Sequence, residues 1–304
     1  MVNPSTTTKP LRPLKGVRIL SVALNLPGPA AMMRLQAMGA TCSKLEPPAP
    51  AAMPPGTPGD PMGMYNPAAY ATLHQGIRVM QADLKTAKGQ AQLHKVLART
   101  DVLLTSFRPS ALDKLGLGWS SLKKLYPTLS MVAIVGAPGL RAEEPGHDLT
   151  YMAEAGLVTG MDTPPSLYAD MGGSLMASEA VLQVKMQRMA SGKGARMEVA
   201  LSEAAHYLAL PRNWGLTTAK GSVGGSHAGY RVYPCKDGRV AFAALEPHFA
   251  QRLMQAAGES RSDMRSMFRP ESHAAIAAFV KDKSRAQLDA LSVQKDIPLF
   301  TLKG

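Results

Sequence analysis

Three short segments set titratable side chains beside residues that shape the backbone: Gly146-His147-Asp148, Asp170 ahead of Gly172-Gly173, and Glu246-Pro247 after the apolar run Val240 to Leu245. A histidine and carboxylates are the types that general acid–base chemistry uses. Each also has a structural account. Asp148 and Asp170 precede helical stretches and fit N-caps, His147 fits a satisfied surface position, and Glu246 fits the first turn of a helix. Spacing alone favours the structural account of each.

Other chemistries lack their residues. No Gly-x-Ser-x-Gly elbow occurs, the histidines lack ligand spacing, and the only cysteines are Cys42 and Cys235. Hydrolase, metal and disulfide-scaffold functions therefore have no support, and the cysteine usage fits a reducing compartment. Glu46 stands about where an acidic ribose ligand follows a dinucleotide-binding turn. That turn holds Gly28 between Pro27 and Pro29 rather than Gly-x-Gly-x-x-Gly, which leaves NAD a minor alternative. Gly221, Gly224, Gly225 and Gly229 suit a hinge better than a phosphate cradle, because the next element reads as a strand.

Apolar runs and helix punctuation indicate which elements must position these groups. Strands are expected over Val17 to Leu24, Thr41 to Leu45, Arg78 to Ala82, Asp101 to Ser106 and Leu129 to Val135. They alternate with helices over Ala30 to Met38, Gly89 to Ala98 and Ser110 to Tyr126. Pro47 to Pro61 reads as a loop. The β-α-β alternation predicts an α/β fold with a doubly wound, Rossmann-like parallel sheet. Further on come a helix from His147 or Asp148, a long helix from about Met171 to Ala190, and a strand over Met197 to Leu201. Glycines crowd Lys220 to Gly229, which marks a boundary between a large domain, residues 1–219, and a small α+β domain, residues 220–304. In the small domain Tyr230 to Pro234 and Arg239 to Ala243 flank Asp237-Gly238 as a hairpin, and the remainder reads as helical.

Of 304 residues, 45% are hydrophobic and 18% charged, the balance of a globular chain. Lys and Arg number 34 against 22 Asp and Glu, a net charge of +12 that points to an anionic partner. Aromatic residues are 5% and the cations are dispersed singly, so a small phosphorylated ligand fits better than nucleic acid. The longest uncharged apolar stretch, Leu129 to Leu140, contains Gly136, Pro138 and Gly139 and falls short of the ~20 residues of a membrane span. Residues 1–16 are polar and the run Ile19 to Leu24 is too short for a signal peptide. A cytoplasmic protein without membrane contact is expected.

Several segments, in order, resemble one family. They are Leu14-Lys15-Gly16-Val17-Arg18-Ile19-Leu20, Pro27-Gly28-Pro29, Met38-Gly39-Ala40-Thr41, Lys44-Leu45-Glu46-Pro47-Pro48 and Asp83-Leu84-Lys85. They continue with Ser106-Phe107-Arg108-Pro109, Leu115-Gly116-Leu117-Gly118 and Gly192-Lys193-Gly194. From about Pro13 almost to its end the sequence resembles the family III CoA-transferases of the CaiB/BaiF type. Gly146 to Tyr151, Ala169 to Gly173 and Ala244 to Phe249 look most like that group's α-methylacyl-CoA racemase branch.

The resemblance implies an enzyme acting on acyl-CoA thioesters, with no prosthetic group and CoA entering as part of the substrate. It makes Asp170 the nucleophilic or proton-transferring aspartate, His147 the second acid/base group and Glu246 the residue completing the site. In a racemase His147 and Asp170 would remove and return a proton on opposite faces of the carbon α to the thioester. The start of a helix near His147 would offer N–H groups to the enolate oxygen. In a transferase Asp170 would attack the thioester carbonyl and carry the acyl group as an anhydride. A non-catalytic acyl-CoA-binding protein is the remaining alternative.

CoA contacts are implied for Asp83, Leu84, Lys85, Arg108, Gly146, Asp148 and Tyr151. Two cationic CoA contacts of the family are missing, because Pro47 replaces an arginine and Ile77 a lysine. Family members continue beyond the segment matching Ile297 to Thr301 and form interlocked homodimers whose sites join the large domain of one subunit to the small domain of the other. Met161, Met171 and Met176, near Asp170 in sequence, are candidates for a compliant acyl pocket, although core packing is the expected role of most methionines.

Overall fold

The computed structural model describes residues 11–54, 56–259, 263 and 265–304. The polar residues 1–10, counted above with the start of the chain, lie outside the described residues. The chain divides into two compact units, Met1–Ala209 and Leu210–Gly304. That division falls ahead of the glycine-rich stretch 220–229 at which the sequence pattern puts a boundary.

The first unit runs β1 (Arg18–Ser21), α1 (Pro27–Ala37), β2 (Thr41–Glu46), α2 (Pro61–Tyr65), α3 (Pro67–Leu73), β3 (Arg78–Gln81) and α4 (Ala87–Leu97). It continues with β4 (Val102–Thr105), α5 (Pro109–Lys114), α6 (Trp119–Leu125), β5 (Ser130–Val135), α7 (Asp148–Glu154), α8 (Tyr168–Ser191), β6 (Arg196–Ala200) and the start of α9 (Leu201–Asn213). The strands form one parallel sheet in the order β3-β2-β1-β4-β5-β6. Alternation along the strands explains why both faces are covered. Ile19, Val102, Leu104, Val132 and Ile134 pack with Met32 and Leu35 of α1 and Val181 and Val184 of α8. Their neighbours Leu20, Leu103 and Met131 pack on the other face with Leu93 and Leu97 of α4, Leu112 of α5 and Leu122 of α6.

Local chemistry sets the helix starts. Pro27 opens α1, where its missing N–H costs nothing. Asp60, Asn66 and Thr86 cap α2, α3 and α4 by accepting from the N–H of Met62, Ala69 and Gly89. The long helix α8 begins at Tyr168, ahead of the Met171 start that the sequence suggests. Asp170 is consequently inside the first turn and is not an N-cap.

The second unit carries β7 (Tyr230–Cys235), β8 (Gly238–Ala243), α10 (Pro247–Ala256), α11 (Pro270–Lys281), α12 (Arg285–Lys295) and β9 (Leu299–Leu302). β7 and β8 form the expected hairpin, with Cys235 opposite Gly238. The segment after Ile297 is not helical as expected: β9 pairs antiparallel with β8, Phe300 opposite Ala241. Leu253, Ile276, Val280, Leu288 and Ile297 pack with Tyr233, Val240 and Phe242 into this unit's own core. Among the described residues no helix is long and apolar enough to cross a membrane.

Candidate active site

The strand order reverses between β1 and β4, and in open α/β sheets ligands bind outside the carboxyl ends of the strands at such a point. There the first unit encloses a cavity of about 160 Å³. Its walls come from Leu24 and Asn25 after β1, Phe107 and Arg108 after β4, Gly136 after β5, and Gly146, His147, Tyr151 and Asp170. Two groups far apart in sequence, His147 and Asp170, therefore share one cavity.

His147 is the residue before α7, with an extended backbone (φ −142°, ψ 170°), and it is exposed. Its backbone N–H donates to Thr150 Oγ1 at 3.1 Å, which fixes the helix entry. Asp148 follows as a buried first residue of α7 and does not cap its own helix. Its Oδ1 instead accepts the backbone N–H of Asp170 at 2.9 Å, capping the neighbouring helix α8, whose own N-cap Leu167 has no acceptor to offer. A cap of this kind is worth about 1 kcal/mol.

This arrangement sets the acidity of Asp170. Burial first, and the nearby Asp148 carboxylate second, push its carboxyl up to about 7. The buried Tyr151 phenol is raised as well, by burial and then by Asp170. Close approach explains two glycines of the wall. A Cβ on Gly136 would stand 2.1 Å from Tyr151 Oη, and one on Gly146 2.4 Å from the same atom.

A second cavity, about 810 Å³, opens beside the first where β2, β3 and β4 end. Asp83, Leu84 and Lys85 line it with Glu46, Pro47 and Lys114, and Phe107 lines both cavities. Arg108 lines the small cavity, which also holds Asp170, rather than the large one. Pro47 stands in the wall of the large cavity, whereas Ile77 is buried in the core of the first unit and lines neither. Glu46, weighed above as a ribose ligand, is occupied internally: it accepts from Gly59 N–H at 2.9 Å and Tyr70 Oη–H at 3.0 Å.

Glu246 lies in the second unit, exposed, at the N-cap position of α10 rather than within its first turn. The methionines near Asp170 do not line the cavity that holds it: Met161 and Met171 are exposed and Met176 packs on the core. Asn25, Lys114 and Glu144 are cavity residues that the sequence pattern passes over. Lys114 was the accessible one, immediately before the Leu115 to Gly118 segment. Among the described residues no group of three His, Cys, Asp or Glu side chains could hold a metal ion.

Comparisons with known proteins agree with this architecture. A protein of Mycobacterium tuberculosis named as a probable fatty acyl-CoA transferase is 31% identical over 66% of this chain and 53% of its own length, so the aligned part spans about half of that relative. The α-methylacyl-CoA racemase of Mus musculus is 28% identical over 90% of this chain and 73% of its own length. The crystal structure of a hypothetical protein from Mycobacterium tuberculosis matches the fold with a TM-score of 0.78, at 24% identity, over 97% of this chain and 86% of the other. The family model described as CoA-transferase family III matches residues 14–303. A parallel sheet with paired cavities at its switch point, and a match along nearly the whole chain, lead to one conclusion: this chain belongs to CoA-transferase family III.

Proposed function

We propose that the chain acts on acyl-CoA thioesters and moves the proton on the carbon α to the thioester, as a racemase or epimerase with His147 and Asp170 as its two acid/base groups. The observation that carries this reading is the shared cavity in which Asp170 is poised at about 7. A carboxyl with that affinity gives and takes a proton with comparable ease at neutral pH. A nucleophilic carboxylate, in contrast, works in its ionised form, which burial beside Asp148 opposes.

One group removes the α proton, the electron pair passes into the thioester carbonyl as an enolate, and the second group returns a proton to the opposite face. CoA lies with its adenine nucleotide in the large cavity near Lys85 and Lys114, its pyrophosphate comes to Arg108 past Phe107, which lines both cavities, and its pantetheine arm runs on into the small cavity. The test is incubation of a single enantiomer of a 2-methylacyl-CoA with and without a free carboxylic acid. Accumulation of the other enantiomer, independent of the acid, supports the proposal. Transfer of CoA to the acid with configuration retained would favour the transferase reading, which the mycobacterial relative's name also favours. Neither product across a panel of thioesters would leave a binding protein.

Arg108→Ala should weaken CoA binding by about 1.5 to 3 kcal/mol if the guanidinium donates a charge-assisted hydrogen bond to phosphate. Titration calorimetry measures this, and an unchanged Kd would remove Arg108 from the CoA site. We further propose a homodimer in which Glu246 of the partner subunit completes each site. Light scattering at micromolar concentration should give twice the chain mass; a monomer with full activity would mean that one chain completes its own site.

A further inference from the structure

A group of buried ionisable side chains at the end of β2 plays no part in the proton transfer just proposed. Lys44 is 1% exposed, Glu46 2% and Asp60 0%. The Lys44 ammonium donates to Asp60 Oδ2 and, at 3.0 Å, to Nε2 of His74, and it stands 3.6 Å from Glu46 Oε2. The other ring nitrogen of His74 donates to the Tyr70 carbonyl at 2.7 Å, which suits a neutral imidazole. Burial and then the Lys44 charge hold its pKa low, in agreement.

Burying such a pair rarely adds stability over an apolar substitute, because desolvation consumes the Coulomb attraction. The position of the Asp60 carboxylate indicates what else it does. Its two oxygens each lie 3.1 Å from the backbone N of Asn25, and Oδ1 also accepts the Met62 N–H at 2.9 Å. Asn25 has φ +61°, in the left-handed region that L residues enter at a cost, and it lines the cavity containing His147 and Asp170. Asn is one of the few residue types that accept this conformation, but nothing intrinsic holds it there. The carboxylate does.

We infer that Asp60, paired with and oriented by Lys44, is a positioning residue for the reaction cavity: it pins the Asn25 backbone in its left-handed turn and so fixes one wall of the space that the thioester occupies. The inference rests on the functional reading of that cavity given above. Asp60 reaches Asn25 in the wall of the small cavity and does not itself line the large one, so its loss acts on the rate of the reacting complex more than on CoA capture.

Three variants test it, each normalised to CoA-binding sites counted by calorimetry. Asp60→Asn keeps an oxygen acceptor but turns an amide toward Lys44. The pair Lys44→Met with Asp60→Asn removes both charges and leaves Glu46 its donors from Tyr70 and Gly59. Asn25→Val disturbs the turn from the other side of the Asp60 contact and leaves the Lys44 and Asp60 side chains in place, because a β-branched side chain is strained at φ +61°. Each should lower kcat per site ten- to a hundredfold in α-proton exchange, or in CoA transfer to a carboxylic acid if the wild type catalyses that instead, with KM and the CoA Kd within about threefold. A purely structural role would reduce the number of binding sites and leave kcat per site unchanged. That result, or parallel losses in kcat and CoA affinity, would overturn the inference while leaving the functional reading intact. A wild type that neither exchanges nor transfers would sink both.

Discussion

Asp170→Asn should abolish α-proton exchange, with a loss of about a thousandfold or more, because it removes one of two proton-transferring groups and general acid–base steps contribute about 10² to 10⁴-fold each. The same substitution should change stability in a direction that identifies the cause. Asp170 is raised from the unfolded-chain value of 3.8 to about 7. A carboxyl raised on folding contributes stability that is fully present below pH 3.8 and is lost as pH rises through 7. Wild type above pH 7 therefore carries the cost of a buried charge that the amide lacks. Asp170→Asn should be the more stable protein at pH 8, by about 2 to 4 kcal/mol after allowance for partial exposure. The two proteins should converge below pH 4. Thermal denaturation at the two pH values checks this, and a variant less stable than wild type at pH 8 would show that the carboxylate is paired rather than strained.

His147→Ala should lower α-exchange by about 10² to 10⁴-fold while leaving CoA binding unchanged within error, since the ring's role is proton transfer rather than capture. Chromatographic assay of enantiomer interconversion gives the first quantity and calorimetry the second. If the protein instead carries acyl groups on Asp170, the substitution should be tolerated and hydroxylamine should trap the adduct at that carboxylate. Mild loss of exchange in His147→Ala would therefore count against the two-base scheme directly.

Much of the fold was legible because the sheet is buried on both faces. Runs such as Val102 to Leu104 and Met131 to Val135 bury successive residues, and the turns between them carry proline and glycine. What escaped was set by partners distant in sequence. β9 exists because β8 offers it an edge, and Leu299 to Leu302 alone has no strand alternation to announce it. The start of α8 was misplaced because Asp148, from another helix, supplies the cap that the local sequence lacks.

Those few residues matter to the chemistry. Moving the helix start to Tyr168 puts Asp170 in the first turn, beside Asp148, and this proximity helps raise its proton affinity. The site pair was recognisable as residue types next to glycines, whereas its convergence was not, since β5 and β6 and two helices had to bring Gly146 and Asp170 together. Lys44 and Asp60 stayed hidden for a similar reason: a proline-rich loop separates them, and nothing in its composition indicates that its last residues return to β2.

The most direct measurement is the fate of the α hydrogen. A single enantiomer of a 2-methylacyl-CoA is incubated with the protein and a free carboxylic acid in deuterated water and followed by proton NMR. A two-base proton transfer predicts deuterium at the α carbon of the product at the rate at which the other enantiomer forms, and loss of both signals in Asp170→Asn. Transfer of its CoA to the free carboxylate, releasing the 2-methyl acid with the α carbon fully protonated and its configuration intact, would contradict the account.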